Sequence, residues 1–332
     1  MEKSANSDEV LKISVVMATY NGGRYLSEQL DSIVAQTYPM VEIIVQDDGS
    51  TDNTLEILED YARRYPQIKV FANDSGRHGV NGNFFSAMRR AKGDYIAIAD
   101  QDDIWEKDKL QVQAEAIGDK MLATGFSVPF SSEGFPVKAD LRRPNLHLIR
   151  NTYLSQVPGH TMLFDKKILD FIDESPQMPL YYDWQIACVA SAAESVVFVD
   201  RKLVNFRRHA SAATASQPVG HSLVSGRAFD YVWVSLVRHG ALQREVCERF
   251  KIVLPFLERL PFETRSLGEA IRMSRLQTRR GLMAFLGRVV FFVRHSHHIF
   301  HAEEHRVAVR YLRALFFVFS CGYYYRSHLK KS

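Results

Sequence analysis

Apolar residues recur along the first hundred positions in two alternating rhythms. Short runs rich in β-branched residues, ISVVMA (13–18), VEIIVQ (41–46) and PQIKVFAN (66–73), each end in a polar, turn-forming cluster. After each cluster the apolar positions shift to helical spacing: Leu26, Leu30, Ile33 and Val34, then Leu55, Ile57, Leu58 and Tyr61, then Phe84, Phe85, Ala87, Met88 and Ala91. The runs predict buried strands and the spaced positions predict helices, with DYIAIAD (94–100) as a fourth strand. Strands alternating with helices predict an α/β architecture, a mostly parallel sheet with helices on both faces.

The middle of the chain is less regular. MLATGFSVPF (121–130) predicts a strand, GHTMLFDKKILDFI (159–172) a strand then a helix, and YYDWQIACVASAA (181–193) a helix that starts at an aspartate. SVVFVDRKLVNFRRH (195–209) predicts two strands. Beyond Ser222 the spacing is helical almost throughout, interrupted at Pro255, Pro261 and Gly281. The pattern divides the chain into a body at 1–219 and a helical region at 220–332.

Composition adds a compartment and an asymmetry. At 332 residues, 46% apolar and 24% charged, the chain is a folding sequence and not a disordered one. Cys188, Cys247 and Cys321 are too few and too scattered for a disulfide framework or a zinc site, which points to a reducing compartment. The opening MEKSANSDEV lacks the apolar stretch of a secretory signal, so the expected location is the cytoplasm. From Gly220 onward 19 Lys and Arg face 8 Asp and Glu, a balance of +11 that leaves −7 for residues 1–219 out of the net +4. An acidic body and a basic tail suggest two tasks, the tail meeting an anionic surface or partner; a merely solvated basic face is the plainer alternative.

The polar clusters fall where such sheets bind ligands, at the carboxyl ends of strands. Thr19-Tyr20-Asn21 follows the first strand, Asp47-Asp48-Gly49-Ser50 the second, and Asp100-Gln101-Asp102-Asp103 the fourth. Carboxylates at the last density repel one another unless a cation or ample water joins them. The D-x-D form sets Asp100 and Asp102 on one side of a chain leaving a strand, suited to Mg²⁺ or Mn²⁺, which take one or two carboxylates plus phosphate oxygens. Asp48 can accept the ring N–H of a pyrimidine, while Ser50, Thr51 or Asp52 alternatively caps the next helix. The Asn81-Gly82-Asn83 loop offers donors to a base or ribose, or simply forms a turn.

Taken in order, ISVVMATYNGGRYLSEQLDSIVAQTYPMVEIIVQDDGSTDNT and GVNGNFFSAMRRAKGDYIAIADQDDIW resemble the N-terminal part of the inverting glycosyltransferase family 2, with a GT-A fold, strongly over about 12–110 and more weakly to about 210. DQDDIW, with DW and RRH further on, is most similar to its bacterial rhamnosyltransferase-like subgroup. The resemblance implies a Rossmann-like, nucleotide-binding mixed sheet flanked by helices, here followed by a basic helical extension. It implies that Ala18, Thr19 and Tyr20 lie against the nucleotide, that Asp48 reads the pyrimidine and that Asp100 belongs to the metal and diphosphate motif; Asn83, from the loop chemistry above, is added to the nucleotide set. Asp102 is then the direct ligand of Mg²⁺ or Mn²⁺, supported by Asp103, with His209 near the metal and diphosphate, and Asp183 is the catalytic base. Where the subgroup shows His-Asp-Trp-Trp this chain has Tyr182-Asp183-Trp184-Gln185, and Ala212 and Ala213 stand where an asparagine often follows the late histidine. Asp183 also reads as an ordinary helix N-cap, and His209 as a structural histidine.

The implied partners are a nucleotide-sugar donor, first of all dTDP-rhamnose and next a UDP-hexose, and a lipid-linked or growing polysaccharide acceptor. Read as a helix, EEHRVAVRYLRALFFVF (303–319) sets Arg306, Arg310 and Arg313 on one face and Val309, Leu312, Leu315 and Phe316 on the other. That is the pattern of a segment lying in an anionic membrane interface, at the inner face of the cell membrane; packing on the body or on a second copy is the other reading. No apolar run reaches the ~18–20 residues of a membrane span. Nucleotidyl transfer and an inactive, basic adaptor are the competing classes. Nucleic acid is not an expected partner while Asp48, Asp102 and Asp183 are intact.

Overall fold

The computed structural model describes residues 10–134, 137–209, 227–300 and 306–322. The described residues fall into two compact units, the first drawn from Met1–Ser127, Gly159–Asp170 and Val197–Phe206, the second from Val128–Pro158, Phe171–Val196 and Arg207–Ser332. The division expected at 219/220 lies outside the described residues.

Eight strands make one sheet: β1 (Ile13–Thr19), β2 (Glu42–Asp47), β3 (Ile68–Ala72), β4 (Tyr95–Ala99), β5 (Ile104–Trp105), β6 (Leu122–Phe130), β7 (Leu163–Asp165) and β8 (Val196–Arg207). Their order is β3-β2-β1-β4-β7-β6-β8-β5. The first four pair in parallel, while β7 runs antiparallel to β4 and β6, and β5 antiparallel to β8. The sheet is therefore mixed, and parallel only on the side that the repeating strand–helix units build. Register sets Thr19 beside Asp47 and Met17 beside Ala99, so the loops leaving β1, β2 and β4 emerge along one edge.

Helices α1 (Gly23–Val34), α2 (Thr54–Arg64), α3 (Gly79–Arg90) and α4 (Lys109–Ile117) belong to the first unit. In α1 the buried face is Leu26, Leu30 and Ile33, the spacing seen in the sequence, and each such side chain stabilises the fold by roughly 2 kcal/mol on leaving water. The second unit holds α5 (Leu148–Tyr153), α6 (Tyr182–Ala192), α7 (Arg227–Val237), α8 (His239–Glu258), α9 (Arg265–Thr278), α10 (Leu282–Arg294), α11 (Ser296–Ile299) and α12 (Val307–Ser320). Its centre is aromatic: the Tyr153 ring meets Phe250, Phe292 and Phe317 at 5.3, 6.0 and 5.1 Å. The Tyr153 hydroxyl accepts from Gln277 Nε2 at 2.5 Å.

Several local expectations change. The two strands expected in 195–209 are one, β8, because Asp200, Arg201 and Lys202 are exposed while the backbone stays extended. Residues 81–83 are the first turn of α3 and not a loop. Residues 166–171 form a 3-10 helix. Pro255 lies inside α8, close to its end, where the missing N–H costs one bond and the helix still runs to Glu258. In α12 the expected apolar face is split: Leu312 and Leu315 are exposed, Val309 and Phe316 are half-buried together with Arg310 and Arg313, and Ala314, Phe317 and Val318 fill the core instead. No helix among the described residues is long and apolar enough to cross a membrane. All three cysteines are buried and unbridged, and burial pushes the thiols of Cys188 and Cys321 up to about 12.

One buried cation gives the stability a pH dependence. Lys109, fully buried at the start of α4, holds its Nζ 3.8 Å from the centre of the Trp105 ring. Burial lowers its pKa to about 7. Between that value and the ordinary lysine range the unfolded chain keeps a proton that the native chain has released, so stability rises with pH across this window at up to about 1.4 kcal/mol per unit. Below about pH 7 both states are charged and the native state bears the full cost, offset in part by the Trp105 face. Lys109→Met should therefore be more stable than the parent at pH 7, with the gap closing toward pH 10. Urea unfolding at pH 6.5, 8 and 9.5 checks this, and parallel pH profiles for parent and variant would show that the ammonium is not desolvated.

Candidate active site

The loop after β1 is locked to the loop after β4. Gln101 Oε1 accepts the Tyr20 N–H at 2.9 Å, and Gln101 Nε2 donates to the Tyr20 carbonyl at 3.1 Å. Gly22 leaves room for this amide, since a Cβ there would lie 2.2 Å from Gln101 Oε1 and displace it. The same loop is tied to the one after β2. Asn21 takes a left-handed conformation, φ 48°, donates its N–H to Ser50 Oγ at 2.8 Å, and accepts the Thr51 N–H at 2.8 Å. Three loops expected to lie close are thus joined by explicit hydrogen bonds.

Within this frame the paired aspartates after β2 divide their work. Asp47, 2% exposed, accepts from Thr19 Oγ1 (2.9 Å), Ser50 Oγ (2.6 Å), and the N–H groups of Gly49 (3.0 Å) and Ser50 (2.7 Å). It shapes the turn, which Gly49 completes at φ 87°. Asp48 lies at the mouth, its side chain 9% exposed. It accepts from Asn73 Nδ2 (2.7 Å), His78 Nδ1 (2.7 Å) and the Gly79 N–H (2.6 Å), the last being the orphan donor at the start of α3. A carboxylate offers about four acceptor positions, so one remains for an incoming donor. The N-cap of α2 is Asn53, without a side-chain capping bond, and Asp52 just before it accepts the Thr54 N–H at 3.0 Å.

The predicted nucleotide residues separate by exposure. Tyr20 is exposed and Ala18 half-buried, whereas the Thr19 side chain is buried against Asp47. Asn83 is also buried: its Nδ2 donates to the carbonyls of Thr19 (3.2 Å) and Gln46 (3.0 Å), and it pins α3 across β1 and β2.

The acidic cluster departs from the expected geometry. Asp100 leaves β4, and Gln101-Asp102 form a turn, so the chain is not extended there. The pair brought together is Asp100 and Asp103, both facing His160 Nδ1, at 3.0 and 3.2 Å. His160 is 5% exposed, bonds Ser127 Oγ through Nε2 at 2.8 Å, and stacks on Phe206 at 5.2 Å. Burial opposes charge on this imidazole, yet the carboxylates of Asp103, Asp100 and Asp102 outweigh it and hold its pKa above the ordinary value. Asp102 is half-buried at the turn. Sequence reading missed His160, because its partners are some sixty positions away. His160 lies in the short 3-10 helix Gly159–Thr161 that leads into β7, and the pairing of β7 with β4 brings that turn beside the end of β4.

The donor set suits a hard divalent cation. Asp100, Asp103 and His160 offer ligand atoms within 4.8 Å of one another, and two carboxylates next to a turn carrying a third match the oxygen preference of Mg²⁺ or Mn²⁺.

Asp183 and His209 belong to the second unit. Asp183 is the second residue of α6, whose N-cap is Tyr181, so it is not the cap; its Oδ1 accepts the Trp184 N–H at 2.8 Å. Trp184 is anchored by its Nε1, which donates to the Asn151 carbonyl, and by Arg249 lying 4.7 Å over its ring. His209 is 7% exposed, just past β8, next to a segment fixed by Arg208 N–H to the Phe130 carbonyl at 2.8 Å.

Comparison with known proteins places these features in a wider group. Residues 14–172 match the family model described as Glycosyl transferase family 2. The putative teichuronic acid biosynthesis glycosyltransferase TuaG of Bacillus subtilis is 34% identical over 136 residues, 40% of this chain and 53% of that protein. The dTDP-rhamnosyl transferase RfbG of Shigella flexneri is 41% identical over 99 residues, 29% of this chain and 34% of that one. The chain spans between about a third and a half of the length of the curated relatives it matches. In fold it is similar to residues 1–349 of TarS from S. aureus, solved in complex with UDP-GlcNAc, with a TM-score of 0.56 at 17% identity over 96% of this chain and 92% of that one. That likeness bears out a GT-A architecture with helices following the sheet.

Proposed function

We propose that this chain is a metal-dependent, inverting glycosyltransferase that moves a sugar from a nucleotide donor to a lipid-linked or growing surface polysaccharide. The observation that carries the reading is the edge where β1, β2 and β4 end, with Tyr20, Asp48 and the Asp100–Asp103 turn tied together by Gln101 and Asn21. The relatives named for teichuronic acid synthesis and dTDP-rhamnosyl transfer support a cell-envelope glycan as product and dTDP-rhamnose as the first donor to test. The UDP-GlcNAc complex of the TarS fragment makes a UDP-sugar the second.

In this reading Asp48 accepts the pyrimidine N–H through its remaining acceptor position, and Tyr20 and the backbone of 18–20 border the nucleotide. Asp102, with Asp100, would hold Mg²⁺ or Mn²⁺, which when bound neutralises the charge of the departing diphosphate. His160 keeps Asp100 and Asp103 in place at 3.0 and 3.2 Å so that the turn presents Asp102 outward. Inverting transfer is an in-line displacement, so a base must take the acceptor hydroxyl proton on the face opposite the leaving group. Asp183 is assigned that proton, and His209 a supporting place near the diphosphate. A lipid-linked acceptor would be met at the inner face of a membrane, with the basic C-terminal region in contact with it.

Thermal-shift binding of UDP, dTDP, GDP and CDP and their common sugars, each with Mn²⁺ and with chelator, tests this reading. One pyrimidine diphosphate is expected to stabilise the protein by about 2.7 kcal/mol at a hundred times its Kd, only with metal present. Absence of binding by every member to a folded protein would favour the adaptor reading.

A further inference from the structure

Three helices of the second unit carry apolar stripes that face solvent. On α10, Leu282, Met283, Leu286 (47% exposed) and Val290 (66%) recur a turn apart and share one side, while Ala284, Phe291 and Phe292 fill the core on the other. On α12, Tyr311, Leu312 (66%) and Leu315 are exposed, and Ala314, Phe317 and Val318 are buried. On α7, Trp233, Leu236 and Val237 are exposed. α12 packs against both neighbours, with Phe285 and Phe319 at 5.6 Å joining it to α10. Single exposed apolar residues are ordinary, but clusters of them on three adjoining helices mark an interaction surface.

The charge around the stripes selects the partner. Residues 282–294 and 307–320 contain no Asp or Glu. Arg238, Arg279, Arg294 and Arg306 are exposed at the helix ends, bracketing the apolar positions. A second copy docked through the same face would set these arginines against themselves, and like charges across an interface are repulsive. An anionic lipid surface satisfies both parts. Apolar side chains enter the boundary between headgroups and acyl chains, arginines reach lipid phosphates, and Trp233 and Tyr311 suit the headgroup level.

We propose that the α7–α10–α12 face seats the protein on an anionic lipid bilayer. The proposal deepens the membrane contact advanced above by naming its surface. It needs no donor, metal or acceptor to be observed, so its failure and that of the transfer reading are told apart by the nucleotide-binding panel.

The test is flotation of the full chain with vesicles of phosphatidylcholine alone or mixed with phosphatidylglycerol. Binding is expected to the anionic vesicles, at least about tenfold weaker to the neutral ones, and reduced by added salt. The double variant Leu286→Glu with Val290→Glu is expected to lose about tenfold or more in binding. Because these side chains are exposed, its melting transition should stay near that of the parent. Leu312→Glu, on the neighbouring helix, is the second variant and should weaken binding independently. Equal binding by parent and both variants would overturn the proposal, as would no binding by the parent. A parent that ignores vesicles but dimerises through Leu286 and Val290 would reassign the face to a second copy.

Discussion

Asp183→Asn is expected to lower turnover by about 10³-fold, within the range of general-base loss, while leaving donor affinity within about twofold. The asymmetry follows from where the residue lies. Asp183 occupies the first turn of α6, where the helix dipole accommodates negative charge, and its Oδ1 already accepts the Trp184 N–H. Asparagine keeps the shape and can keep that contact through its own carbonyl oxygen, and Trp184 stays anchored by Asn151 and Arg249. The variant therefore loses basicity while keeping the Trp184 contact. Product formation under saturating donor, alongside thermal-shift titration with the same donor, separates the two effects. Near-normal turnover would remove Asp183 as the base.

Asp102→Asn is expected to act at the other end of the reaction. It should lower activity by about 10²- to 10³-fold and abolish the difference in donor binding between Mn²⁺ and chelator. The turn carrying Asp102 is held from one side by Gln101 on the Tyr20 backbone and from the other by His160 on Asp100 and Asp103. The Asp102 carboxylate adds to the charge that favours the His160 imidazolium, so the melting temperature of the variant without ligand is the control that separates a structural loss from loss of the metal. Isothermal titration with Mn²⁺ and nucleotide is the direct measurement. Undiminished, metal-dependent donor affinity in this variant would transfer the metal to Asp100, Asp103 and His160 alone, the three residues whose ligand atoms already converge.

These two residues differ in how legible they were. Asp102 stood out as part of a carboxylate cluster ending an apolar run, and Asp183 through the family resemblance at the opening of a helical spacing; Asp183 does lie in the first turn of a helix, whereas Asp102 lies in a turn and not on the extended chain expected. The partner that organises the cluster was not legible. A lone histidine in PGHTM carries no local signal, and His160 acquires its role only once the turn leading into β7 is packed beside the end of β4. Thr19 and Asn83 were read as ligand-facing because they sit in polar segments at strand ends. Sequence does not say on which side of the backbone a polar group is spent, and both side chains are used inside the frame, on Asp47 and on strand carbonyls.

By itself the sequence determined the alternation of strands and helices in the first hundred residues, the clustering of polar loops at one end of those strands, and the contrast between an acidic body and a basic helical region. Each follows from local physics: apolar periodicity, turn chemistry and charge count act over a few residues and need no distant partner. Tertiary structure alone decided that the late strands pair antiparallel, that β8 runs unbroken through its exposed polar triplet, that His160 meets Asp100 and Asp103, and that α12 buries Phe317 and Val318 while leaving Leu312 and Leu315 exposed. Those outcomes depend on which side of an element finds a packing partner, and that competition is settled between segments far apart in the chain.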